Sequence, residues 1–164
     1  MPTGATLVDA APAGQEVVIT RAFAVSAERL LAAYLDGGQA ARWLAPLGVR
    51  LVMEAWDVRH GGAFRYRLER PDGSAPIVHH GLFHGEPIVA TGITQTWESS
   101  GAPGAVCLET LRVEPVADGA RLRLQIVYPT AAMRDAVVAG GVQARAEEMM
   151  ALLAETLAGP AAGA

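Results

Sequence analysis

The amino-acid sequence predicts an α+β domain: a curved antiparallel sheet of about six or seven strands wrapped around one long C-terminal helix, with two short helices after the first strand. Three observations predict it. Segments of alternating or β-branched apolar character recur between residues 16 and 128, separated by Gly, Pro and Asp turn signals. The period then changes, and Val142, Ala146, Met149, Met150, Leu153 and Leu157 recur at helical spacing. Finally, 51% of the 164 residues are apolar, enough to bury one face of a sheet against the stripe of that helix.

The elements follow in order. Residues 1–14 are rich in Ala, Gly, Pro and Thr and read as a disordered tail, as do residues 159–164; the single domain spans 15–158. Residues 16–23 form a first strand. Ser26 caps a helix over 27–36, with Leu30, Leu31 and Tyr34 on one face, and Gly37-Gly38 stops it. A second short helix, 39–44, is closed by Pro46. Strands follow at 49–58, 63–69, 77–84 and 93–98, punctuated by His60-Gly61-Gly62, Pro71-Asp72-Gly73 and Gly85-Glu86-Pro87. In 63–69, Phe64, Tyr66 and Leu68 share a face. Residues 106–113 and 121–128 form a hairpin about Ala117-Asp118-Gly119, and Leu122, Leu124, Ile126 and Tyr128 share one side of its second strand. Gly140-Gly141 separates a helical start at 130–138 from the final helix.

Charge and composition narrow the function. The formal net charge is −4, all 13 basic residues are Arg, and no basic run stands out, so no nucleic-acid partner is expected. No segment approaches the roughly 20 apolar residues of a membrane span. The start of the chain has neither a basic region nor an apolar run, so a cytoplasmic location is the default expectation. Lone Cys107 can form no intramolecular disulfide and no cysteine cluster. No catalytic Ser-His-Asp order, nucleotide-binding glycine loop or cofactor signature appears, so no cofactor is expected; the assembly is expected to be a monomer or a homodimer.

The candidate site is an internal cavity lined by Trp43, Phe64, Tyr66, Phe83, Trp97, Tyr128, Met149, Met150 and Leu153. Tyr66 and Tyr128 add hydroxyls that orient a ligand, and methionine adapts to irregular shapes. His79, His80 and His84 suggest a metal cluster only on paper: His79 and His80 point to opposite faces, and His80 and His84 stand about 13 Å apart along an extended strand. No metal site is expected. His80 is instead a candidate polar wall residue and acid/base. Glu109 shares strand parity with Leu111 and Val113; if that parity is inward, its carboxyl enters an apolar pocket, its pKa rises, and it becomes a candidate general acid or base. The outward alternative leaves Glu109 in solvent.

Several local strings, in order, carry a family resemblance: Thr20-Arg21-Ala22-Phe23, Ala41-Arg42-Trp43-Leu44-Ala45-Pro46, Asp57-Val58-Arg59-His60-Gly61-Gly62, Pro71-Asp72-Gly73 and His80-Gly81-Leu82-Phe83. Together they resemble the START-like superfamily, in its bacterial branch named after the activator of the heat-shock protein 90 ATPase, over roughly residues 16–158. The resemblance implies a helix-grip fold. For function it implies binding of apolar small molecules, polyketide cyclisation or sequestration of a toxic natural product. The residues and the resemblance together put binding of an apolar or aromatic small molecule first, a cavity enzyme of cyclase, hydrolase or isomerase type using Glu109 or His80 as acid/base second, and a chaperone-regulator-like interaction domain third. One departure stands out: the Gly-Trp pair usual in the last helix of this family falls here on Arg145-Ala146. With no indole at Ala146, a wider pocket is expected, and Ala146 joins the candidate ligand-binding residues.

Overall fold

In the computed structural model, residues 4–11 and 14–159 are described. The chain runs β1 (Leu7–Asp9), β2 (Glu16–Phe23), α1 (Ala27–Leu35), α2 (Gly37–Leu44), β3 (Arg50–Trp56), β4 (Ala63–Glu69), β5 (Ile77–Ile88), β6 (Gly92–Ser99), β7 (Cys107–Val116), β8 (Gly119–Val127), α3 (Ala131–Ala139) and α4 (Val142–Ala158). The eight strands form one antiparallel sheet in the order β1-β2-β8-β7-β6-β5-β4-β3. The sheet curves about α4, and the core lies between them.

The strand count exceeds the expected six or seven because of β1. Leu7–Asp9 lies within the stretch expected to be a tail, yet pairs with β2, Leu7 opposite Thr20 and Asp9 opposite Val18. Composition hid it, because three residues are too few to show a period. Residues 1–3 and 12–13 of that stretch, and 160–164 at the other end, lie outside the described residues.

Local chemistry sets the helices. Ser26 accepts the Arg29 N–H at 3.2 Å and starts α1. Asp36 ends α1 and caps α2 at once, its carboxylate accepting the Gln39 N–H at 2.7 Å. Gly37-Gly38 therefore opens the second helix rather than separating the two. A Cβ at Gly37 would stand 3.1 Å from the Trp56 ring, so glycine lets α2 close over that indole. Thr130 caps α3 through the Met133 N–H.

Alternation along the strands sorts the two faces. Val17, Ile19, Phe64, Leu111, Val113, Leu122 and Leu124 are buried on the concave side. The convex side carries an ion-pair ladder: Glu54, the extra residue where the β3–β4 register shifts, accepts from Arg65 Nε at 2.7 Å and Arg67 Nη1 at 2.5 Å. Among the described residues no helix is long and apolar enough to cross a membrane, and no group of three His, Cys, Asp or Glu could hold a metal ion.

Candidate functional site

Between the concave sheet face and α4 lies a cavity of about 470 Å³. Tyr34 of α1, Trp43 of α2 and the α3–α4 joint (Val137, Gly140, Gly141) contribute to its wall. Seven rings run without a break along that wall: Trp43, Tyr34, Trp56, Phe64, Tyr66, His79 and Trp97, each 5.1–6.2 Å from the next between centroids. Five different elements and the end of β3 deliver them, and each pair sits at the offset or tilted separation that aromatic quadrupoles favour. Leu122, Leu124, Ile126 and Met149 supply aliphatic wall.

Few polar groups interrupt this surface. Glu109 of β7 points inward. Its Oε1 accepts from Tyr34 Oη at 3.3 Å and from Gln95 Nε2 at 2.9 Å, Gln95 standing directly opposite on β6. Burial pushes the Glu109 carboxyl up to about 7; the two hydrogen bonds oppose the rise without cancelling it. Among the described residues Oε2 accepts no hydrogen bond. The hydroxyls of Tyr34, Tyr66 and Tyr128 are all held above the ordinary phenol range, first by burial; the Glu109 charge adds to each. The Cys107 thiol is raised to about 11, again by burial and then by Glu109. His79 is pushed down to about 4 by burial, with His80 and Arg145 adding to the effect, and is a neutral ring at ordinary pH.

Arg145 is the cationic group of the wall. Its Nη2 donates to the Leu44 carbonyl at 2.8 Å and its Nη1 lies 3.3 Å from Glu148 Oε1, which also accepts the Leu47 N–H at 2.5 Å. These contacts latch the end of α2 to α4.

Of the residues expected to bind ligand, Trp43, Phe64, Tyr66, Trp97, Glu109, Tyr128, Ala146, Met149 and Met150 border the cavity. Three do not. His80 is exposed on the convex face, 3.8 Å from Glu98, so it cannot act inside the cavity. Phe83 is 2% exposed and buttresses the wall from within the core, 5.4 Å from both Trp56 and Phe64. Leu153 is core as well. Sequence reasoning passed over Tyr34, Trp56, His79, Gln95 and Arg145. His79 had a usable signal: it shares parity with Phe83, so an inward Phe83 requires an inward His79 and an outward His80. Gln95 likewise shares parity with Trp97.

A curved antiparallel sheet gripping a long C-terminal helix around an internal cavity defines the START-like, helix-grip class of proteins. Within that class the chain belongs to the Activator of Hsp90 ATPase homolog 1-like protein family, whose model matches residues 24–158. The fold is similar to that of a solved protein from Rhodobacter sphaeroides (24% identity, TM-score 0.83, 93% of this chain and 98% of that one covered). It is also similar to one from Arthrobacter aurescens (20%, 0.82, 94% and 92%) and to CV1439 from Chromobacterium violaceum (21%, 0.74, 89% and 99%). No curated protein matches the chain.

Proposed function

We propose that this chain binds an apolar or aromatic small molecule in the cavity between its sheet and α4. The observation that carries this reading is the unbroken seven-ring wall facing a volume of about 470 Å³. That volume lies within the range of small-molecule sites, roughly 300–1,000 Å³. Affinity would come from apolar surface removed from water, about 25 cal/mol per Å² before the entropy of ordering is subtracted. The small side chain at Ala146 leaves room that an indole would take.

All three tryptophans of the chain line the cavity, so intrinsic fluorescence reports its occupancy. The test pairs mass spectrometry of what the denatured protein releases with fluorescence titration of the stripped protein and its Ala146→Trp variant. A released small molecule that rebinds wild type, and binds the folded variant at least about tenfold more weakly, supports the reading. No released molecule, together with no fluorescence response to a panel of aromatic and acyl compounds, overturns it.

A second reading, catalysis with Glu109 as general acid or base, is favoured by a carboxyl that titrates near 7 with Oε2 unbonded. It requires that wild type convert a bound compound and that Glu109→Gln bind that compound without converting it.

A further inference from the structure

The position of Glu109 constrains the occupant further. Both donors on its Oε1, Tyr34 and Gln95, are neutral, and among the described residues no cation pairs with it. The groups that face it are Tyr34 from α1, Tyr66 from β4, Cys107 from its own strand and Tyr128 after β8. Each is held in its neutral form at ordinary pH. Arg145 forms no ion pair with Glu109 among the described residues: its Nη2 donates to the Leu44 carbonyl, its Nη1 lies 3.3 Å from Glu148 Oε1 without a hydrogen bond, and its field falls on Tyr66 and His79. An enclosed carboxylate without a counter-charge is a costly arrangement unless something entering the cavity completes it. Among the described residues the buried Gln95 Oε1 has no donor, and the cavity-lining Trp97 Nε1 and Arg145 Nη1 have no acceptor.

The walls around this acceptor suit a cation. Tyr34, whose hydroxyl holds Glu109, stands between Trp43 and Trp56 at 5.2 and 5.7 Å. Indole and phenol faces attract an ammonium group and tolerate the apolar carbons that carry it. An anionic ligand group placed against Glu109 would meet like charge. A neutral hydroxyl would supply one donor and leave the charge uncompensated.

We infer that the cavity selects a lipophilic amine, an apolar or aromatic body whose protonated nitrogen donates to Glu109 Oε2. This inference rests on the cavity-binding reading above and narrows it to a ligand class.

The test is calorimetric titration of the stripped, full-length protein with three probes of one shape: 1-naphthylmethylamine, 1-naphthylmethanol and 1-naphthoic acid. At about pH 8 the amine should bind at least about tenfold more tightly than the alcohol, as a charge-assisted hydrogen bond implies, and the acid most weakly. Glu109→Gln should bring the amine to within about threefold of the alcohol. Wild type provides a second measurement independent of the variant. Lowering the pH from about 8 to about 5.5 protonates Glu109, so the amine should lose affinity while the alcohol holds its own. Equal binding of amine and alcohol at both pH values overturns the inference and leaves cavity binding intact. Failure of all three probes to bind overturns both.

Discussion

Replacing Glu109 by Gln should make the unliganded protein more stable at pH 8 and leave it unchanged near pH 4.5. The ordinary value of the carboxyl is 4.5, and in the fold it is about 7. Below about pH 4.5 the acid is protonated in both folded and unfolded chains and contributes nothing. Between 4.5 and 7 the unfolded chain gives up its proton while the folded one keeps it, so stability falls as pH rises. Above 7 the full deficit remains. At about 1.4 kcal/mol per pH unit the gap amounts to roughly 3 kcal/mol; water inside the cavity screens part of it, leaving about 2 kcal/mol. Glutamine has the same shape, and its carbonyl can accept the same two bonds from Tyr34 and Gln95. For a chain of this size the gain corresponds to a rise of about 4–8 °C in Tm at pH 8. Urea unfolding of both proteins at intervals from about pH 4.5 to 8.5 measures it. His79 also titrates in this range with the opposite sign, but it is common to both proteins and cancels in their difference. A difference that stays flat with pH, or a variant less stable than wild type at pH 8, refutes the reasoning.

Two further outcomes are expected. His79, held at about 4 against an ordinary 6.5, stays neutral in the fold while the unfolded chain binds a proton, so stability falls as pH drops below 6.5. His79→Gln should therefore flatten the acid side of the urea-midpoint profile, by about 1 kcal/mol at about pH 5, and an unaltered profile would place the ring in solvent. Gly81→Ala would drive a Cβ to 1.8 Å from the Thr96 carbonyl and 2.8 Å from the Phe64 ring. A loss of about 2 kcal/mol or more in urea unfolding is expected, and wild-type stability would contradict so close an approach of β5 to β6.

Much of the fold was legible because its periods are strong. Phe64-Tyr66-Leu68 and Leu122-Leu124-Ile126 show a two-residue alternation, and Val142-Ala146-Met149-Leu153 a helical one, wherever one side is buried. The order of elements then left few ways to cover one sheet face. What did not show was the phase of each strand relative to the cavity. Glu109 could be placed inward or outward, because β7 alternates polar and apolar residues on both assignments until its register with β6 and β8 is known. Placing both His80 and Phe83 inside contradicted the pleat of a single strand, and the structure resolves the conflict in favour of Phe83. Trp56 was hidden for a different reason. It ends β3 beside a bulge, so its direction depends on the extra residue, Glu54, rather than on simple alternation. Arg145 showed only as a departure from a family pattern, since nothing local distinguishes a surface arginine on α4 from one whose guanidinium reaches back to Leu44.

The pairing of β2 with β8 has a consequence for how the molecule comes into being. Glu16 lies opposite Val127, and Phe23 opposite Ala120, so a strand near the start of the chain finds its partner only near the end. During synthesis the edge of β2 that meets β8 must wait uncovered until almost everything downstream has emerged, and α4, which closes the cavity, arrives later still. Closing so long a loop makes the formation of this seam the slow event in folding. A chain cut short before β8 would leave the apolar edge of β2 uncovered, and aggregation, not a smaller stable domain, is the outcome to expect from such a truncation.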